Sequence, residues 1–419
     1  MLRTLEHLIE RRSAVLLLVI IVLTLGVRVG FVMTLDDELY WPDPKYFDRI
    51  AWRIVSEGRI ATGEPDEMAV LRPPFQAFVM TVPYTAAGHS YRAAYLFQAL
   101  LSGFIPLLLY LIARDTLGKG VGLLAAFFGA FYPYYVYMAG ALYPTQTATL
   151  LMLTFVYFAM KTRERPTAAF AVAQGLALGA LVLTRSVSLI FAPFAFFWTL
   201  RGRKTILAAT LLALSAMAVV LPWTVRNHVV SGEFIPVSAV GGHAFMLGSH
   251  PEATATSQTR TPVPEDLAEA RKTTPPGAWD KMCMERGLEY VRDDPARFVS
   301  LYFQKLVNYY RFYPDTISKN EFTSSRTTWI ALLTSGPAII LGLVGMWLAR
   351  GKWRELMPAY AVVIIYSLVY PAFTTCVRYR LPLDAYLLLF AAATIVWVGK
   401  RLRGEPARFE DRSASVTPP

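Results

Sequence analysis

Apolar residues in this chain come in blocks of roughly twenty, the length a helix needs to cross a bilayer, separated by short polar connections. They predict ten spanning helices, at about 14–34, 92–113, 120–138, 142–160, 167–184, 187–200, 205–223, 328–349, 357–373 and 381–399. Asp43 to Glu57 follows a different pattern. Tyr46, Phe47, Ile50, Ala51, Ile54 and Val55 share one helical face, while Lys45, Asp48, Arg49 and Arg53 lie elsewhere. This predicts an amphipathic helix in the membrane interface, stopping at Gly58. The run 75–88 is apolar but short, and a crossing there would invert every later helix, so it reads as interfacial or re-entrant.

These elements divide the chain into four parts. Residues 1–223 form an N-terminal transmembrane region with a first outer loop, 35–91, and 224–327 form a small, mainly helical outer segment. Residues 328–403 carry the last spanning helices, and 404–419 read as a disordered cytoplasmic tail. Within the outer segment, Arg260 to Gly277 is rich in Pro, Thr and charge and predicts a mobile loop. Ala278 to Phe312 predicts helix broken at Pro295. The expected fold class is an all-α polytopic membrane bundle.

Composition agrees. Of 419 residues 55% are hydrophobic and only 17% charged, against about 25% charged in soluble domains. The net charge of +11 gathers at alternate connections: Arg11 and Arg12, Arg114 and Lys119, Lys161 to Arg165, Arg201 to Lys204, Arg350 to Arg354, Lys400 to Arg403. That is the enrichment of basic residues expected in cytoplasmic loops, and it argues against a nucleic-acid partner. It places both termini in the cytoplasm and the loop 35–91 outside, in the cytoplasmic (inner) membrane of a cell envelope. The first apolar run has no small-residue cleavage site and reads as a retained helix rather than a signal peptide. Two cysteines, Cys283 and Cys376, make no disulfide framework, and no Cys/His pair has metal-ligand spacing. No cofactor is evident, and the sequence leaves a divalent metal open.

The candidate chemistry lies on the outer side. Asp43 at the start of the interfacial helix can act as a general base toward an attacking hydroxyl or amine. On sequence physics alone the plainer reading is an N-cap followed by Pro44. Asp36, Asp37 and Glu38 form a solvated acidic run in which Asp37 is a fallback base. Arg72, stiffened by Pro73 and Pro74, suits bidentate recognition of phosphate or anchoring to anionic lipid. Arg185, Arg226, Arg378 and Arg380 also fall on the outer side, where the charge rule does not account for them, and their economical common purpose is an anionic ligand. His243 and His250 read as loop histidines with a possible ligand contact. Zinc, Walker and GxSxG motifs are absent.

Several of these residues carry a resemblance. Arg72-Pro73-Pro74, Leu183-Thr184-Arg185, Pro222-Trp223-Thr224-Val225-Arg226-Asn227, Gly241-Gly242, Lys305 and Arg378-Tyr379-Arg380-Leu381-Pro382 follow in order. The chain resembles the GT-C membrane glycosyltransferases of the family 39 type, related to protein O-mannosyltransferases and bacterial aminoarabinose transferases. The resemblance implies a GT-C-like bundle and a sugar donor carried on polyprenyl phosphate. It implies that Asp43, in Asp43-Pro44-Lys45-Tyr46-Phe47, is the catalytic base and that Arg72 contacts the donor phosphate. Arg185, Arg226, Arg378 and Arg380 would support that phosphate, with Asp37, Tyr46, Gln146, His243 and Lys305 as secondary candidates. The chain departs from many relatives at Tyr143-Pro144-Thr145-Gln146-Thr147, where an acidic residue is replaced by Gln146. Gln146 can hydrogen-bond but cannot act as a base.

The expected function is an inverting glycosyltransferase that moves a hexosyl or pentosyl group from a polyprenyl-phosphate donor to an extracytoplasmic lipid, glycan or protein. A flippase for lipid-linked sugars would use the same cationic site but should show broken helices in matched halves. A surface-glycan ligase or polymerase would share the donor chemistry.

Overall fold

The computed structural model describes residues 2–39, 42–60, 70–256, 261–312, 325–406 and 409, and among these the chain forms helices and no strands. In order they are α1 (Leu2–Met33), α2 (Pro42–Glu57), α3 (Phe75–Ala87), α4 (Tyr91–Ser102), α5 (Phe104–Leu117) and α6 (Lys119–Phe131). Then follow α7 (Pro133–Ala139), α8 (Pro144–Glu164), α9 (Ala168–Thr184), α10 (Phe191–Thr199), α11 (Ile206–Ser231) and α12 (Gly241–Ser249). The remainder are α13 (Glu265–Thr273), α14 (Pro276–Asp293), α15 (Pro295–Tyr309), α16 (Ser325–Leu348), α17 (Trp353–Val369) and α18 (Val377–Leu402).

Each apolar block falls on helix. Among the described residues five helical stretches are long and apolar enough to cross a membrane, or six if α6 and α7, which bend by 51° at Tyr132, count as one. The expected ten exceeds what length and composition alone support. The bend has a local cause, since Pro133 at the start of α7 supplies no backbone N–H to continue α6.

The bundle is built around α18, which packs against α5, α6, α8, α16 and α17. Of its apolar window 78% is buried, against 22% for the α1 and α11 spans. The latter two expose Val15, Leu18 and Val22, and Leu207, Leu214 and Leu221, as lipid-facing helices do. α9 meets α11 through Gly175 and Gly179. A Cβ on Gly175 would clash with Ser215 Oγ, and one on Gly179 would lie 2.7 Å from Val219 Cβ. This is small-residue spacing that lets two membrane helices approach closely. Arg28, buried on α1, donates from Nη1 and Nη2 to the carbonyls of Ser102 and, at 3.0 Å, Gly129.

Five expectations need correction. The predicted mobile loop contains α13, whose acidic first turn (Glu265, Asp266) and basic last turn (Arg271, Lys272) complement the helix dipole. The short helix α12 was not foreseen, and α11 continues past 223 to Ser231. The apolar stripe of α2 is covered by protein: Phe47, Ile50 and Ala51 are buried in one core with Ala77, Met80 and Tyr84 of α3. Asp48, expected on the polar side, is buried too, accepting from Tyr84 Oη at 2.6 Å and lying 2.8 Å from His89 Nε2. The predicted disordered tail lies mostly outside the described residues.

Candidate active site

Three stretches distant in sequence converge at one end of the bundle. Asp43 sits in the first turn of α2. Arg72 lies in the irregular segment before α3, which is held in place by its neighbours. Val70 is buried with Ile235 and Ala239, and its carbonyl accepts from Ala239 N at 2.8 Å. Pro74 then starts α3, its carbonyl accepting from Ala77 and Phe78. Arg378 lies in the first turn of α18.

Each carboxylate oxygen of Asp43 meets a different guanidinium. Arg72 Nη1 lies 2.9 Å from Oδ1, and Arg378 Nη1 lies 3.3 Å from Oδ2. The Asp43 and Arg378 side chains are 21% and 28% exposed and that of Arg72 42%, so a solute can reach all three. Aromatic faces hold the arginines. Arg72 stands over Tyr46 at 5.5 Å, and Arg378 over Tyr143 at 4.6 Å and Tyr379 at 5.3 Å. Cation–π contacts of this kind orient a guanidinium without neutralising it.

A second tier adjoins the cluster. Arg185 lies over Tyr379 at 5.0 Å and donates to Thr145 Oγ1 at 2.9 Å, while its Nε is buried without a partner. Arg226 stands over Trp223 at 4.7 Å and donates to Asn227 Oδ1 at 3.2 Å, with Nη2 buried and unpartnered. Burial pushes the Tyr46 hydroxyl up to about 12, against the nearby positive charges of Arg72 and Arg226. Tyr46 is therefore a neutral hydrogen-bonding group at neutral pH.

The structure sets other candidates apart. Arg380 is fully buried on α18. Its Nε meets Asp384 Oδ1 at 2.7 Å, and its Nη1 donates to the carbonyls of Tyr309 (2.8 Å) and Arg311 (2.6 Å). Tyr132 Oη donates to the second Asp384 oxygen at 2.8 Å. Lys305 donates to the carbonyls of Gly248 at 2.5 Å and Phe373 at 2.6 Å, joining α15 to the end of α12 and the segment before α18. Asp37 accepts from Arg92 N at 2.8 Å in the first turn of α4. Gln146 is buried and donates to Tyr135 O at 3.2 Å, while its Oε1 has no partner. None of these four is joined to Asp43 by a hydrogen bond or ion pair. The residues that sequence reasoning passed over are Tyr143 and Tyr379, which cover Arg378.

The His243 ring, at the start of α12, packs on Trp279 at 5.1 Å, and the backbone N–H of His243 donates to Asp280 Oδ1 at 2.9 Å. Burial, aided by Arg271 and Arg72, pushes the imidazole down to about 4 from 6.5. Between those values the unfolded chain binds a proton that the folded chain does not, so stability falls as pH drops through that window. The thermal midpoint in detergent is expected to fall between pH 7 and pH 4.5, and His243→Gln to remove part of that fall. An unchanged pH dependence in the variant would contradict this. Among the described residues no cluster of three or more His, Cys, Asp and Glu side chains is arranged to hold a metal ion.

Residues 71–225, which include Arg72 and Arg185, match the family described as dolichyl-phosphate-mannose-protein mannosyltransferase. No curated protein sequence matches the chain. Among solved structures it is similar to the oligosaccharyltransferase of Archaeoglobus fulgidus in the apo form, with a TM-score of 0.58 and 13% identity over 94% of this chain and 52% of that one. The archaeal oligosaccharyltransferase AglB from Archaeoglobus fulgidus, in complex with an inhibitory peptide and a dolichol-phosphate, gives a TM-score of 0.53 and 15% identity over 95% and 52% of the two chains. ArnT from Cupriavidus metallidurans bound to undecaprenyl phosphate gives 0.43 and 16% identity, over 97% and 81%. The chain spans about half the length of the archaeal enzyme it matches. The shared fold and the matched segment bear out the resemblance drawn from the sequence: the chain carries the GT-C fold, and its residues 71–225 match the mannosyltransferase family.

Proposed function

We propose that this protein is an inverting glycosyltransferase that takes a sugar from a polyprenyl-phosphate carrier and places it on an acceptor at the membrane surface. The observation that carries the reading is the Asp43 carboxylate set between Arg72 and Arg378, at 2.9 and 3.3 Å. Guanidiniums that bind a carboxylate in this way also bind a phosphate. When a donor phosphate enters, it competes with Asp43 for the same two cations. The carboxylate is then less neutralised and better able to take the acceptor's proton. The two arginines stay on the leaving polyprenyl phosphate and stabilise the charge that develops there. One base and one cationic clamp suffice for a single displacement, which inverts the sugar carbon.

In this reading Arg185 and Arg226 extend the positive field around the donor, and Arg380 and Lys305 serve the fold. The basic clusters lie at the far ends of the helices, and the positive-inside tendency supports a reading in which the Asp43 end faces outward from a cytoplasmic membrane.

Arg72→Gln and Arg378→Gln should each weaken polyprenyl-phosphate binding by about tenfold or more, from the loss of one charge-assisted contact. Titration of the purified variants with polyprenyl phosphate measures this. Wild-type affinity in both would remove the phosphate assignment. Movement of the lipid-linked sugar across reconstituted vesicles without transfer would favour a flippase instead.

A further inference from the structure

α8 begins beside Tyr143, under Arg378, and runs for 21 residues to Glu164. That carries its end about 30 Å away, at 1.5 Å per residue, to the opposite face of the bundle. There a cavity of about 350 Å³ opens between α5, α8 and α17, lined by Asp115, Tyr157, Lys161, Arg163, Arg354 and Glu355 among others. The size is that of a small-ligand site.

The charges in this wall do not cancel locally. Asp115 is bound by Arg114 Nε at 2.7 Å and by Lys161 Nζ at 2.9 Å, and Glu164 by Lys161 at 2.9 Å. Glu355 lies 3.6 Å from Lys352. Every carboxylate of the lining thus has its cation. Among the described residues neither Arg163 nor Arg354 has a carboxylate within salt-bridge distance. Arg163 instead stacks on Trp198 at 3.9 Å, and the charges of Arg201 and Arg354 both repel it. Like-charged guanidiniums facing one cavity are relieved by an anion between them.

The depth of the cavity indicates where such an anion comes from. Among the described residues four arginine–tryptophan pairs lie at helix ends on this side: Arg163 with Trp198, Arg350 with Trp347, Arg354 with Trp353 and Arg401 with Trp397. Tryptophans in a belt at helix ends mark the level of lipid headgroups, and basic pockets between helices at that level suit headgroup phosphates. Tyr157 and Met160 supply an apolar wall.

We propose that this cavity binds the phosphate of an anionic phospholipid, held by Arg163 and Arg354, in the leaflet opposite the Asp43 site. It is a second lipid site, independent of the donor chemistry.

Native mass spectrometry of the full chain in detergent, titrated with dioleoyl phosphatidylglycerol, tests this, with dioleoyl phosphatidylcholine and inorganic phosphate as separate arms. Phosphatidylglycerol should bind more tightly than phosphatidylcholine, and inorganic phosphate should fail to displace it at equal concentration. Arg354→Gln alters an exposed side chain that has no ion pair among the described residues, so the fold should survive, and the tightest phosphatidylglycerol adduct should weaken by about tenfold. Glu355→Gln removes a negative charge from the wall and should strengthen that adduct. Equal affinity for the two lipids, unchanged binding in Arg354→Gln, or displacement by inorganic phosphate at equal concentration would each overturn the proposal.

Discussion

Asp43→Asn is expected to lower sugar transfer by about 10²–10⁴-fold, the usual contribution of a general base, while leaving the protein folded. Asparagine keeps the size and the hydrogen-bonding shape of the side chain but cannot take a proton. Its neighbours Arg72 and Arg378 lose a carboxylate partner, yet both are partly exposed and can turn to water. Ion pairs in such settings contribute at most about 1 kcal/mol. Yield and thermal midpoint should therefore stay near wild type. Transfer from a polyprenyl-phosphate-linked sugar, followed by mass spectrometry of the acceptor, measures the loss. Near wild-type turnover in the variant would move the base elsewhere.

The largest effect on stability is expected at Arg380, two residues from Arg378. Arg380→Met leaves Asp384 fully buried with only Tyr132 to satisfy it. An uncompensated buried charge costs about 3–5 kcal/mol, so folded yield and the thermal midpoint should fall sharply. A double variant, Arg380→Met with Asp384→Leu, removes both charges and should recover much of the loss, because an apolar pair of similar volume is often as stable as a buried ion pair. Arg378→Gln should keep its midpoint. Equal destabilisation by Arg378→Gln and Arg380→Met would contradict the separation of roles.

That contrast shows where the sequence was legible. The run Arg378-Tyr379-Arg380 presents two arginines that look equivalent, and both read as phosphate ligands. On a helix two residues are about 200° apart, so Arg378 faces the site and Arg380 faces the core. The spacing of Arg380 and Asp384, four residues on one helix face, was a signal for an internal ion pair. The amphipathic helix from 42 to 57 was readable because its period is local. Asp48 was misread because its partners, Tyr84 and His89, come from α3 and the turn after it, and no local pattern encodes that pairing. The helices α12 and α13 are nine residues each, too short for periodicity to outweigh their glycine and proline surroundings. Arg72 was legible from its Pro-Pro corner, but its meeting with Asp43 depends on the segment after α11 that pins Val70.

The central claim is that Asp43 and the donor phosphate share two guanidiniums. The affinity of purified Asp43→Asn for polyprenyl phosphate, measured beside wild type, tests it most directly. If the carboxylate competes for Arg72 and Arg378, removing its charge tightens phosphate binding severalfold even as transfer is lost. Unchanged or weaker binding would show that the arginines hold Asp43 for some other purpose.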